Sequence, residues 1–363
     1  MIHILLLLAG GLTFLILGAD QLVKHSSQLA ARLGISSLVI GLTIVAYGTS
    51  APELIVSTQA ALNHQPDISL GNIIGSNIAN VLLILGVCAL ILPLKVSQQI
   101  ARLDVPIMIG VSVLLFVMCL DGNLGKWDAC ILFSGIVLYT WFVIWMSKRE
   151  SKPIQDEYDQ EFGKKALTAK QVNIPKKIFM IAVALVIVIL GARWFVEGAV
   201  QIARHFGMSE LVIGLTIVAI GTGLPEIATS IVATLRGERD IAVANIVGSN
   251  IYNILAILGI AGFLTPNGIS VSPALINFDI LVMIATAVAC FPIFYTGHLI
   301  ARWEGLLFLL YYIAYTIYLI FQSTQHDALE YFSEAMLWFV MPLTVVTVCV
   351  LFVRSLRKEQ INK

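Results

Sequence analysis

Two carboxylates, Glu53 and Glu226, lie near the middle of segments that are otherwise almost wholly apolar, "GLTIVAYGTSAPELIVS" (41–57) and "GLTIVAIGTGLPEIATS" (214–230). A carboxylate at the centre of a membrane span costs about 2.5–3.5 kcal/mol on insertion scales, and more on an isolated helix. A bland reading pairs each acid with a membrane arginine or leaves it protonated. The basic residue well inside a span is Arg193, whose counterpart in the other half of the chain is Asp20. Arg193 cannot serve both glutamates symmetrically, so a functional reading is favoured. Pro52 and Pro225 precede the glutamates. Each removes a backbone hydrogen bond and clashes with the carbonyl four residues back, at Gly48 or Gly221. A kink beside a buried acid frees backbone oxygens where a cation can use them. Ala46, Thr49, Ala219 and Thr222 are among the groups so exposed.

A second pair of segments adds polar stripes. In "GNIIGSNIAN" (71–80) and "ANIVGSNIYN" (244–253), Asn72, Ser76 and Asn80 fall at i, i+4 and i+8, and Asn245, Ser249 and Asn253 repeat that spacing. On a helix each set makes one face. Gly75 and Gly248 beside the serines permit close helix approach, and Asn77 and Asn250 are equally well read as interhelical packing groups. The donors are all oxygen: carboxylates, hydroxyls, amide carbonyls and freed backbone carbonyls, with no His or Cys near either motif. Hard cations select such ligands, and calcium takes six to eight of them at about 2.3–2.6 Å. Two glutamates neutralise one divalent ion. Without it they must hold monovalent cations or protons, because two bare carboxylates in a low dielectric are too costly. That constraint makes exchange, rather than one-way passage, the natural activity.

The elements that position these residues are membrane helices. The chain has 363 residues, 58% hydrophobic and 12% charged, with mean hydropathy +0.91. Soluble domains carry about twice that charged fraction. Apolar runs near 20 residues match the bilayer core. Zero net charge gives no reason to expect nucleic acid. The five cysteines (Cys88, Cys119, Cys130, Cys290 and Cys349) all sit in apolar runs without a CxxC pair, and read as small buried hydrophobes. The N-terminal run has no basic n-region and reads as a first membrane helix rather than a cleaved signal.

Eleven spans are expected, at 2–24, 35–62, 68–92, 103–120, 126–147, 178–203, 208–235, 240–264, 274–295, 301–322 and 332–353. A polar linker interrupts them at 148–177. A shift of 173 residues aligns 41–62 with 214–235 at 13 identities in 22 positions, and 67–86 with 240–259 at 13 in 20. Weaker echoes carry the match through 126–133 and 302–309. Each half therefore holds five spans (1–147 and 178–323), and 324–363 is an additional C-terminal span and tail. An odd number of spans inverts the second half, giving a pseudo-two-fold axis in the membrane plane. The expected fold is thus an all-α polytopic membrane protein, an inverted repeat of 5+5 transmembrane helices plus one extra C-terminal helix. With the N-terminus outside, inner segments carry Lys24, Arg32, Lys95, Arg102, the Lys-rich linker, Arg236, Arg239, Arg302 and the C-terminal basic residues. Outer segments carry only Lys126 and Arg204. Linker and C-terminus are then cytoplasmic.

Other polar residues have plainer readings. Asp104, Asp279, Asp128 and Glu304 read as helix N-terminal charges at the membrane edge, and Asp67 and Asp240 as N-caps. His25, His64, His205 and His298 are placed at span ends without a role, and Asp20 with Arg193 reads as a structural ion pair.

The motifs "GTSAPE" and "GTGLPE", each followed by "GSNIAN" or "GSNIYN", resemble the α-repeats of the calcium/cation antiporter superfamily, in particular its sodium/calcium exchangers and their prokaryotic members. The resemblance spans the first ten helices and implies alternating access with sites between spans 2, 3, 7 and 8. It implies ligands at Thr49, Ser50, Glu53, Ser76 and Asn80, and at Thr222, Glu226, Ser249 and Asn253, with the backbone carbonyls of Ala46 and Ala219. This chain departs from the pattern at Gly223, opposite Ser50, which removes one hydroxyl. Asparagine at both 80 and 253 leaves only two central acids and weakens a potassium-dependent reading.

The leading expectation is sodium-driven calcium antiport in the plasma (inner) membrane, with no enzymatic activity and no cofactor. The partners expected are inorganic cations and the bilayer, with no obligate protein partner. Proton/calcium exchange is the alternative. A passive cation channel and a non-transporting scaffold are less well matched to paired buried acids.

Overall fold

The computed structural model describes residues 2–33, 35–149, 173–206, 219–326, 328–347 and 349–350. The 150–172 part of the linker, Gly207 with the 208–218 part of the seventh expected span, and the basic C-terminal residues lie outside them.

Helix α1 (Ile2–Leu33) is followed by α2 (Ser37–Thr49) and α3 (Ala51–Leu62), then α4 (Pro66–Ile91), α5 (Ile100–Cys119) and α6 (Lys126–Arg149). Beyond the linker come α7 (Ile174–His205), the short α8 (Ala219–Gly221), α9 (Leu224–Leu235) and α10 (Arg239–Leu264). The chain continues through α11 (Leu275–Tyr295), α12 (Arg302–Thr324) and α13 (Ala328–Thr347). Among the described residues nine helices are long and apolar enough to cross a membrane, ten if the bent α2–α3 pair is one span. The ends of α3 and α9, and of α4 and α10, differ by the same 173 residues as the sequence motifs.

Two expectations about element limits change. First, α1 and α7 each run 32 residues, about 48 Å of helix, well beyond the span lengths read from hydropathy. Polar residues such as Lys24 and His25 therefore ride on α1 rather than following it. Second, the all-α bundle carries two short antiparallel bridges in its loops. Residues Leu94–Lys95 (β1) pair antiparallel with Leu299–Ile300 (β4), and Asn123–Leu124 (β2) with Ile269–Ser270 (β3). These two-residue bridges join loops of the first half to loops of the second. They satisfy backbone groups at the bundle ends, where helical bonding has stopped.

The long helices α1 and α7 pack along one another. A Cβ built at Gly11 would lie 2.6 Å from the Phe195 nitrogen, and one at Gly191 would lie 2.6 Å from the Leu15 nitrogen. Backbone meets backbone there, so neither position admits a side chain. The centre belongs to α10, whose apolar window is 94% buried, with α4 next at 67%. At the other extreme α13 has 0% of its window buried and touches α12 through Tyr311, whose hydroxyl lies 2.7 Å from Thr344 Oγ1. Isoleucine and leucine side chains of α4 and α10, such as Ile73, Ile78, Ile246 and Ile254, form the main core.

Regular α-geometry is interrupted at matching places. A π-helical turn occupies Asn80–Leu85 in α4 and Asn253–Leu258 in α10, and others open α5 (Ile100–Asp104) and α11 (Leu275–Asp279). Such turns leave backbone oxygens less well bonded and recur at functional positions. Here two of them begin on Asn80 and Asn253.

Several polar readings are corrected. Asp20 pairs with Arg236 at the end of α9 rather than with Arg193, because α1 packs against α9 along that stretch. The N-caps of α4 and α10 are Gln65 and Glu238. Asp67 and Asp240 fall in the first turn, where a carboxylate still suits the helix dipole. Asp104 is not at an exposed edge: the π-turn carries it inside, 0% exposed, where it accepts from the Tyr139 hydroxyl at 3.0 Å. Asp279 makes the matching bond with Tyr315 at 2.9 Å. His25 is buried within α1, its Nδ1 3.1 Å from Lys177 Nζ. Asp128 and Glu304 do close helix starts, accepting from the Gly125 and Ala301 amides at 2.9 and 2.7 Å. All five cysteines are free thiols.

Candidate functional site

Ser50 separates α2 from α3, and the two helices bend by 47° there. Gly223 holds the same place before α9, with φ −80°, ψ 0° against φ −80°, ψ 12° at Ser50. The prolines sit in the first turns that follow, where a missing N–H costs nothing. Glu53 and Glu226 are thus third residues of new helices rather than interior residues of long ones. Their carboxylates lie at the positive end of the helix dipole. Each is 1% exposed, and the two are within electrostatic reach of one another.

Partners come from the opposite half. Ser50 Oγ donates to Glu226 Oε1 at 2.8 Å and lies 3.1 Å from Ser249 Oγ. Ser249 Oγ is 3.4 Å from the Ala46 carbonyl. The Thr49 hydroxyl sits beside Glu226, and Thr222 sits beside Glu53. Thr49 Oγ1 also lies 3.1 Å from the Val45 carbonyl, 3.3 Å from that of Ala46, and 3.2 Å from Asn245 Oδ1. In the other half Thr222 Oγ1 lies 3.4 Å from Asn72 Oδ1. Neither Glu53 Oε2 nor Glu226 Oε2 has a hydrogen-bond partner among the described residues. Two buried carboxylate oxygens without donors are offset by a bound cation or by a proton.

The two stripes follow the same exchange. Asn80 Nδ2 donates to Asn250 Oδ1 at 2.9 Å, and Asn253 Nδ2 donates to Asn77 Oδ1 at 3.0 Å. Asn77 and Asn250 also donate to each other's backbone carbonyls, at 3.2 and 3.3 Å. Asn77 and Asn250 therefore do more than pack: they occupy the amide nitrogens of Asn80 and Asn253. Asn253 Oδ1 is left buried and without a hydrogen-bond partner among the described residues. Ser76, Asn80 and Gly223 line a small cleft with Ala79, Leu83, Ile84, Ile220 and Ile227.

Of the residues named from sequence, Ala46, Thr49, Ser50, Glu226 and Ser249 share direct contacts, Thr222 adjoins Glu53, and Ser76 and Asn80 line the cleft. Asn253 joins through Asn77, and Ala219 opens α8, which packs on α4. The Ala46 carbonyl is not released by the proline, since the Ser50 amide still donates to it at 3.1 Å. Its other side faces the Thr49 and Ser249 hydroxyls at 3.3 and 3.4 Å, contacts that a bound ion would replace. Gly248 brings α10 onto α2. The corresponding contact of Gly75 would fall on 215–219, of which 215–218 lie outside the described residues.

Ser57 and Ser230 were missed. Asn72 Nδ2 donates to Ser57 Oγ at 2.9 Å and Asn245 Nδ2 to Ser230 Oγ at 3.0 Å. The signal was available: each serine follows a glutamate by four residues and shares its helix face. Among the described residues no cluster of three or more His, Cys, Asp or Glu side chains could hold a metal. Any cation here is held by two carboxylates and neutral oxygens.

The model for the family described as sodium/calcium exchanger protein matches residues 3–145 and 176–321. Similar proteins include the putative antiporter CaxA of Alkalimonas amylolytica, 39% identical over 318 residues (86% of this chain, 97% of that one). The sodium/calcium exchanger MaX1 of Methanosarcina acetivorans is 34% identical over 345 residues (87% and 98%). Among solved structures, the sodium-calcium exchanger NCX_Mj soaked with zero Na+ and Ca2+ superimposes with a TM-score of 0.73 at 29% identity, covering 86% of this chain and 97% of that one.

Proposed function

Because the chain belongs to the sodium/calcium exchanger family, we propose that it exchanges calcium for sodium across the membrane through one site shared by Glu53 and Glu226. The observation that carries the site is the crossed arrangement. Hydroxyls of one half serve the carboxylate of the other, so neither half is a site alone. Calcium bridges both carboxylates, with Thr49, Thr222 and amide oxygens completing its shell. Sodium uses the same carboxylates one at a time, each with neighbouring hydroxyls and a backbone carbonyl: Ser50, Ser249 and Ala46 beside Glu226, Ser76 and Ala219 beside Glu53. Occupants of the two kinds compete for the same oxygens. The empty site keeps two buried charges, which opposes its reorientation and couples the two fluxes.

The matching offsets of α3 with α9 and α4 with α10 support two five-helix units, 1–147 and 178–323, related by inversion. The extra segment 324–363 and a cytoplasmic linker at 148–177 complete that division. The basic-residue bias supports an outer N-terminus. Alternating access then follows from rocking one unit or helix pair about the shared site.

The test uses purified protein in liposomes loaded with sodium and diluted into sodium-free buffer containing calcium-45. Accumulation driven by the sodium gradient is expected. Uptake driven only by an imposed proton gradient would replace sodium with protons as the counter-ion. Sustained uptake with neither gradient would mean a channel.

A further inference from the structure

The two halves of the site are not equivalent. On the Glu226 side three oxygen groups already form a cluster: Ser50 Oγ lies 2.8 Å from Glu226 Oε1 and 3.1 Å from Ser249 Oγ. The Ala46 carbonyl stands 3.4 Å from Ser249 Oγ. The 173-residue shift maps these onto Gly223, Glu53, Ser76 and Ala219. Every group has its counterpart except the hydroxyl of Ser50.

Glycine at 223 is not demanded by the fold. Its φ of −80° is open to any residue and equals that of Ser50. A Cβ built there meets, among the described residues, only the Ile220 carbonyl, at an ordinary 3.7 Å. The position also lines the cleft that holds Ser76 and Asn80 among apolar neighbours, so a side chain added there enters open space beside those two polar groups rather than a packed core. Space and backbone both admit serine, and the chain omits it.

Building on the exchange reading above, we infer that Gly223 is the specificity-determining position of this site. Lacking one hydroxyl, it weakens monovalent-cation binding on the Glu53 side and shifts the balance toward calcium. A compact monovalent ion needs a near-complete shell of neutral oxygens around a single carboxylate, because it brings only one charge to offset its lost hydration. Calcium draws on both carboxylates at once and loses proportionately less when one hydroxyl is missing. The Glu226 side is therefore the stronger sodium position, and the Glu53 side fills last.

The experiment compares Gly223→Ser, Gly223→Ala and Ser50→Gly with the unmodified chain in sodium-loaded liposomes. It reads calcium-45 uptake as internal sodium is varied. Gly223→Ser should lower the half-saturating sodium concentration by roughly three- to tenfold, the value of one added polar ligand, and steepen its dependence. Gly223→Ala, with the same added Cβ but no oxygen, should not. Ser50→Gly should raise the half-saturating sodium, a readout that stands if Gly223→Ser does not fold. Equal sodium dependence in Gly223→Ser and the unmodified chain, the same gain with alanine, or no change in Ser50→Gly would overturn the inference and leave exchange intact. Absence of sodium-driven uptake in the unmodified chain would instead sink exchange, and this inference with it.

Discussion

Gly248→Ala tests how closely the site depends on the crossing of α10 with α2. A Cβ at 248 would stand 2.7 Å from the Leu42 carbonyl oxygen, 2.8 Å from Leu42 Cα and 3.0 Å from Ala46 Cβ. Ordinary contact begins near 3.4 Å, so the helices must part by about 0.7 Å, and backbone rather than a flexible side chain has to yield. Overpacking of this kind costs about 1–3 kcal/mol. The functional effect is sharper, because the next residue is Ser249, whose hydroxyl makes the 3.1 Å contact with Ser50 and the 3.4 Å contact with the Ala46 carbonyl. The parting takes the second beyond hydrogen-bonding reach and loosens the first. Misplacing binding groups by about 1 Å costs on the order of a hundredfold, so calcium uptake at subsaturating calcium should fall at least tenfold. Gly110→Ala is the control, because a Cβ there meets nothing among the described residues within 4 Å. Uptake and Tm are measured on both variants in parallel. Wild-type uptake in Gly248→Ala, or equal losses in both, would refute the close-crossing argument.

Other expectations follow from the same geometry. Asn250→Ala strands the Asn80 amide and removes a donor from the Asn77 carbonyl, so it should cost about 1–3 kcal/mol in urea unfolding and weaken calcium binding as Asn80 reorients. A purely structural role would lower stability with calcium affinity unchanged. Arg236→Ala removes the partner of Asp20, but the two side chains are 37% and 32% exposed, and such pairs contribute roughly 0–1 kcal/mol. Its Tm should stay close to that of the unmodified chain, and a large drop would show that the pair matters more than its exposure indicates. Tyr139→Phe takes a hydroxyl from Asp104, which is fully buried, and should destabilise more than Tyr315→Phe, whose partner Asp279 is only half-buried. Equal losses in thermal unfolding would remove burial as the cause.

The glutamates and the asparagine–serine stripes were legible in sequence because a membrane makes polar residues conspicuous. The repeated spacing then showed which of them belong together. What the spacing could not show is which atoms meet. It placed the prolines as interior kinks, while the structure starts new helices at Ala51 and Leu224 and so puts Glu53 and Glu226 in first turns. Asn77 and Asn250 carried no signal separating packing from amide orientation, since both uses need the same residue at the same place. Asp104 looked like an edge charge because hydropathy reports where an apolar run begins. Its partner Tyr139 lies 35 residues away, on α6, where no local pattern could point to it. Asp20 and Arg236 are likewise joined only by the packing of α1 on α9.

The exchange proposed above requires one site that holds calcium or sodium and cannot cross empty. The most direct measurement is sodium-22 efflux from liposomes as external calcium is raised. Efflux should require external calcium, saturate with it, and vanish in both Glu53→Gln and Glu226→Gln. Efflux that proceeds without calcium, or that survives in either variant, would contradict a shared exchanging site.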